Sequence, residues 1–135
     1  MLHISFAEDD QAMAAQLRQF LERYTAEHAL EADIRAFSSG DELLREYDTT
    51  CDILLLDVEM PGSDGMETAR ALRERDASVV IVFITNIARY AVQGYEVEAL
   101  DFILKPVNYF TFSVKMDRAA LPTQSWNRPL TTMTA

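Results

Sequence analysis

Five side chains in this sequence could together handle a metal ion and a phosphoryl group: the carboxylates of Glu8, Asp9 and Asp57, the hydroxyl of Thr85 and the ammonium of Lys105. Each follows a short apolar run. A divalent ion held by Glu8, Asp9 and Asp57 would relieve the repulsion between the carboxylates and attract a phosphoryl donor. Asp57 could then attack phosphorus as a nucleophile, with Lys105 and Thr85 contacting the phosphoryl oxygens. Each residue also has a plainer reading. Asp57 could form a turn, Asp9 or Asp10 could cap a helix, Lys105 could neutralise the acidic cluster, and Thr85 could be an ordinary strand-end residue. Only joint placement on one edge makes the chemical reading the stronger one.

That placement depends on the elements before each residue. Ile53-Leu54-Leu55-Leu56 is a continuous apolar run before a Pro/Gly-rich loop, the pattern of a strand covered on both faces. Val79 to Ile84 is a second such run, β-branched except at Phe83. Leu2 to Ala7 and Asp101 to Leu104 read as shorter strands, and Leu30 to Phe37 alternates as a further one. Helical spacing of Met13, Leu17, Phe20, Leu21 and Tyr24 predicts a first helix over 10–27. Ser39-Gly40-Asp41-Glu42 has the form of a capping box opening a second. Met66 to Arg75 forms a third with a charged, solvated face, and Ala88 to Glu96 a fourth. Asn108 caps a fifth carrying Tyr109, Phe112, Val114 and Met116. From Pro122 periodicity ends, so the domain is expected over 1–121 and a linker-like tail over 122–135. Strand and helix alternate five times, the order of a parallel sheet with right-handed crossovers and helices on both faces. In such sheets chemistry sits at the carboxyl ends of the strands, where all five candidates fall.

Composition excludes several classes. At 135 residues and 49% hydrophobic, the chain is one ordered domain of ordinary size. A formal charge of -10 argues against a nucleic-acid surface. Cys51 is the lone cysteine, which rules out an internal disulfide and fits a reducing cytosol. His3 and His28 have no partners at ligand spacing and read as structural or solvated. The longest apolar run is too short to cross a bilayer, and no secretory signal is seen.

Four motifs carry a family resemblance: Phe6-Ala7-Glu8-Asp9-Asp10, Leu55-Leu56-Asp57-Val58-Glu59-Met60-Pro61-Gly62 followed by Gly65, Ile84-Thr85-Asn86, and Phe102-Ile103-Leu104-Lys105-Pro106. Together they resemble the receiver domain of bacterial two-component response regulators over residues 2 to 120. The resemblance implies a flavodoxin-like (βα)5 three-layer sandwich with a parallel sheet in the order 2-1-3-4-5. It also implies a phosphoacceptor at Asp57, a Mg²⁺ ligand at Asp9, a water-mediated one at Glu8, and a further ligand in the backbone carbonyl of Glu59. Thr85 becomes the switch hydroxyl and Lys105 the phosphate-binding cation, with a cis bond before Pro106. The stretch from Ala88 to Val107 is similar to the LytR/AlgR subfamily, whose members carry a LytTR-type DNA-binding domain after the receiver.

By that resemblance the partner is a sensor histidine kinase in the cytoplasm, and phosphorylation repacks the face of the fourth helix, fifth strand and fifth helix. Tyr90, Val92, Tyr95 and Ala99 are candidate contacts for a homodimer on that face. Phe102 is a candidate aromatic switch, and Glu59 and Ile87 are positions that tune phosphoryl lifetime. The chain is expected to accept and lose its own phosphoryl group without being a turnover enzyme, and to reach DNA only through a domain absent from it. A haloacid dehalogenase-type phosphatase needs a second Asp where Glu59 stands, and a nucleophile on the first strand. A pseudo-receiver that binds partners without phosphorylation, or a stand-alone receiver, are the other readings.

Overall fold

The structure, a computed structural model, describes residues 1–60, 64–86 and 97–126, the last six by their backbone alone. Five parallel strands, β1 (Leu2–Ala7), β2 (Ala32–Phe37), β3 (Ile53–Asp57), β4 (Val80–Thr85) and β5 (Asp101–Leu104), form one sheet in the order β2-β1-β3-β4-β5. Every residue of β3 is buried, as a central strand with helices on both faces demands. One apolar cluster joins Ile4, Phe6 and Leu55 to Leu17, Leu21 and Tyr24 of α1 (Gln11–Glu27) and to Phe112 and Met116 of α4 (Tyr109–Trp126). On the opposite face Leu54, Leu56 and Phe83 meet Leu43 of α2 (Gly40–Glu46) and Met66, Ala69 and Leu72 of α3 (Gly65–Arg75). Burying each such side chain contributes roughly 1.5–3 kcal/mol, so the sheet's position between the layers is strongly determined.

Local sequence sets the helix ends. Asp10 caps α1, its side chain accepting from the Ala12 and Met13 N–H groups. At α2, Ser39 accepts from Glu42 N–H, but the Glu42 carboxylate reaches back to the Ser38 N–H and hydroxyl rather than completing the expected box on Ser39. The full reciprocal box stands instead on α3, between Asp64 and Glu67. Asn108 caps α4 through Thr111 N–H at 2.9 Å.

Three expectations need correction. β2 starts at Ala32, two residues later than its alternation suggests. The charges of α3 are not all solvated: Arg73 is half-buried and donates to the Val97 and Val79 carbonyls. Residues 122–126, expected to belong to a linker-like tail, instead continue α4 to Trp126. The fourth helix expected over 88–96, with Ile87, Tyr90, Val92 and Tyr95, lies outside the described residues, as do 127–135.

Candidate functional site

Strand register assembles the site. Ala7 pairs with Leu56, so Glu8, the next residue, stands beside Asp57. Asp57 pairs with Ile84, which brings Thr85 one step further along the neighbouring strand, and Thr85 pairs with Leu104, which sets Lys105 at the same edge. The Lys105 N–H donates to the Thr85 carbonyl at 2.8 Å, and the Lys105–Pro106 bond is cis. All five sequence candidates therefore converge on the carboxyl edge of the sheet.

Glu8, Asp57 and Thr85 are buried, whereas Asp9 is exposed. Each of Glu8, Asp9 and Asp57 offers a carboxylate oxygen, and these oxygens lie within 4.8 Å of one another. Lys105 Nζ is 3.1 Å from Glu8 Oε1 and 3.4 Å from Asp57 Oδ1. The Glu59 N–H donates to Asp57 Oδ1 at 3.2 Å, and the Asp10 N–H to Glu8 Oε2 at 3.2 Å. Burial, and then the Glu8 charge beside it, push the Asp57 carboxyl up to about 7, against the pull of Lys105 and the Glu59 N–H. Burial disfavours the Lys105 ammonium, but Asp57 and Glu8 outweigh it and hold its pKa above the ordinary value. One cation among three carboxylates leaves the edge short of positive charge. Glu8 Oε1 is fully enclosed and, apart from its ion pair with Lys105, has no hydrogen-bond donor among the described residues. This all-oxygen, partly unsatisfied set fits a hard divalent cation.

The remaining sequence candidates find structural places. His28 Nδ1 lies 2.9 Å from the Tyr24 carbonyl and its Nε2 3.4 Å from Asp117, while His3 pairs with Asp33 at 3.6 Å; neither joins the carboxylate cluster. Phe102 is half-buried, with Lys115 Nζ 5.8 Å from its ring centroid. Ala99 is half-buried, its covered side packed against the α3 side of the core.

Sequence reasoning assigns no role to Gly65, although the structure gives it one. A Cβ there would stand 2.3 Å from the Asp57 carbonyl oxygen and 2.8 Å from Val58 Cα, so only glycine lets α3 approach the acceptor backbone. Its N–H donates to the Val58 carbonyl at 2.9 Å. The available signal was the Asp64-Gly65 pair, a cap followed by the smallest residue directly after the acceptor loop.

Comparison with known proteins agrees with this geometry. The family described as response regulator receiver domain matches residues 4–113. A sensory transduction protein LytT from Oceanobacillus iheyensis is 32% identical over 123 residues, covering 87% of this chain and 47% of its own length. The chain thus spans about half the length of that relative. Among solved structures, the response regulatory domain of mrkE from Klebsiella pneumoniae superposes with a TM-score of 0.79 at 23% identity, over 92% of this chain and 99% of that one. The response regulator TrrA from Thermotoga maritima, solved in complex with Mg²⁺-BeF, gives a TM-score of 0.74 at 22% identity over 88% and 99%. These neighbours share the parallel 2-1-3-4-5 sheet and the flavodoxin-like fold. With 110 residues matched from one end of the sheet to the other, the chain belongs to the response regulator receiver domain family.

Proposed function

We propose that Asp57 is the phosphoacceptor and that the donor is a phosphohistidine on a sensor kinase in the cytoplasm. An Asp57 oxygen bonds to phosphorus as the bond from phosphorus to the histidine nitrogen breaks, leaving an aspartyl phosphate and a free imidazole. The observation that carries this reading is the placement of a buried Asp57 within 3.4 Å of Lys105 Nζ at the carboxyl edge. Lys105 stands ready to pair with the added phosphoryl oxygens, and Thr85, one strand over, supplies a hydroxyl to them. Glu8, Asp9, Asp57 and the backbone carbonyl of Glu59 would hold Mg²⁺, which when bound neutralises charge on the transferring group. The TrrA complex and the enclosed oxygen of Glu8 support that assignment. The domain is a regulatory acceptor, and it loses its own phosphoryl group by hydrolysis.

Phosphorylation adds a dianionic group at Asp57, and Thr85 and Lys105 move towards it, shifting the population of the β5–α4 surface. Leu104, Phe110 and Val114 are exposed apolar side chains on these two elements, suited to a second copy of the domain. The likeness to LytT supports a LytTR-type DNA-binding output in the whole regulator, consistent with a formal charge of -10 that unsuits this domain itself for DNA.

The test is the intact mass after incubation with Mg²⁺ and acetyl phosphate, beside Asp57→Asn. A single phosphoryl adduct that requires Mg²⁺ and is absent from the variant is expected. Folded protein showing neither an adduct nor beryllofluoride binding would refute the acceptor role and leave a phosphate-independent interaction module.

A further inference from the structure

The two ends of α3 meet two different parts of the switch. At its start, Gly65 lies against the Asp57–Val58 backbone with no room for a Cβ. At its end, about 12 Å away along the axis, the Arg73 guanidinium makes hydrogen bonds to four carbonyls in two segments, 76–79 and 97–98. Nε donates to Val97 at 2.6 Å, Nη1 to Val79 at 2.6 Å and to Asp76 at 3.4 Å, and Nη2 to Glu98 at 3.0 Å. Val79 leads into β4. Val97 and Glu98 lead into β5, which carries Lys105 directly after its last residue.

Several features make this a mechanical link rather than a surface clasp. α3 is closed by a reciprocal box at its first turn, and Met66, Ala69 and Leu72 are packed into the core, which ties its length to the sheet. Val97 is buried, and Glu98 sits at φ 55, a left-handed conformation that a glutamate adopts only when its surroundings impose it. A planar fork with donors on separate arms fixes the relative positions of the segments it joins, which a lysine ammonium cannot do.

We propose that Arg73 is a positioning residue of the switch, through which α3 carries a displacement of the Asp57–Val58 backbone to the start of β5 and so to Lys105. This route closes a ring of contacts from the acceptor to its cation without passing through Thr85. It rests on the phosphoacceptor reading above.

Amide NMR spectra of the full chain, with and without Mg²⁺ and beryllofluoride, test it in the wild type, Arg73→Lys and Arg75→Gln. Arg75 holds the same helix end to α2 by a bond to the Leu44 carbonyl at 2.7 Å, so its variant controls for a general loosening of α3. Urea unfolding of each variant sets its stability. In the wild type the amides of Glu59, Thr85, Val97, Glu98 and Asp101 should all respond. Arg73→Lys should retain the Glu59 and Thr85 responses while those at Val97 to Asp101 fall at least about fivefold, a coupling of ordinary allosteric size. Arg75→Gln should keep them all. A wild type silent at Val97 to Asp101 while Glu59 responds, or Arg73→Lys responding like wild type, would overturn the proposal. Silence at Glu59 and Thr85 as well would instead refute the phosphoacceptor reading and this route with it. Should Arg73→Lys not fold, the wild-type Arg73 Nε–H resonance decides: it should move on beryllofluoride binding, and a stationary signal would overturn the coupling.

Discussion

Lys105 Nζ stands closer to Glu8 Oε1, at 3.1 Å, than to Asp57 Oδ1, at 3.4 Å, so the site's cation is shared between the acceptor and a neighbouring acid. The attraction Asp57 receives is correspondingly incomplete. Burial and the Glu8 charge prevail at its carboxyl, and the functional edge is destabilised when the acceptor is ionised.

Removing that charge should stabilise the metal-free domain. The folded Asp57 carboxyl titrates at about 7 against an ordinary 3.8, so the native state binds its proton more tightly than the unfolded chain does. Between those values stability falls as pH rises. Asp57→Asn should match wild type near about pH 4 and exceed it by a margin that grows with pH to at most about 4 kcal/mol near neutrality, in urea unfolding with a chelator present. Mg²⁺ should narrow the difference by stabilising the wild type. A difference that did not grow with pH would mean the carboxylate carries no such strain.

Gly65→Ala places a methyl group where the Asp57 carbonyl oxygen already stands. Either α3 retreats or the acceptor loop shifts. Overpacking of this kind costs about 2–3 kcal/mol, and phosphorylation by acetyl phosphate should slow together with the loss of stability. Wild-type unfolding and phosphorylation in the alanine variant would show that the contact relaxes freely.

Thr68 is fully buried on α3, and its Oγ1 has no hydrogen-bond partner among the described residues. An unsatisfied buried hydroxyl costs more than an apolar group of the same shape. Thr68→Val should therefore be neutral or stabilising by about 1 kcal/mol in thermal or urea unfolding. A loss beyond experimental error would reveal a partner for the hydroxyl.

Asp76 joins α2, α3 and β4. It accepts from the Tyr47 hydroxyl at 2.5 Å, from the Ser78 N–H and hydroxyl, and from the Val79 N–H. Burial raises its pKa, but these donors outweigh burial and hold the carboxyl below the ordinary value. The stability this supplies is complete above the unfolded pKa and is lost as pH falls through the folded one. Asp76→Asn should cost about 2 kcal/mol at neutral pH, with a smaller penalty in acid. A penalty equal at both pH values would contradict the charge-assisted role.

Much of this was legible in residue order because periodicity and strand-end chemistry are local signals. The continuous apolar run of β3 and the β-branched run of β4 announced central strands. Glu8, Asp9, Asp57, Thr85 and Lys105 each followed an apolar segment, and parallel strands necessarily bring such endings to one edge. The roles of Gly65 and Arg73 were not legible, because each depends on backbone atoms from other segments. Nothing in Met66 to Arg75 sets Arg73 apart from Arg70 or Glu74 until folding brings Val79, Val97 and Glu98 within reach of its guanidinium. The chain by itself thus determined which elements form and which chemical groups stand at their ends, since hydrophobic spacing acts over a few residues. Only the tertiary structure decided how Lys105 divides between two acids and which helix touches the acceptor, because those follow from distances across strands far apart in sequence.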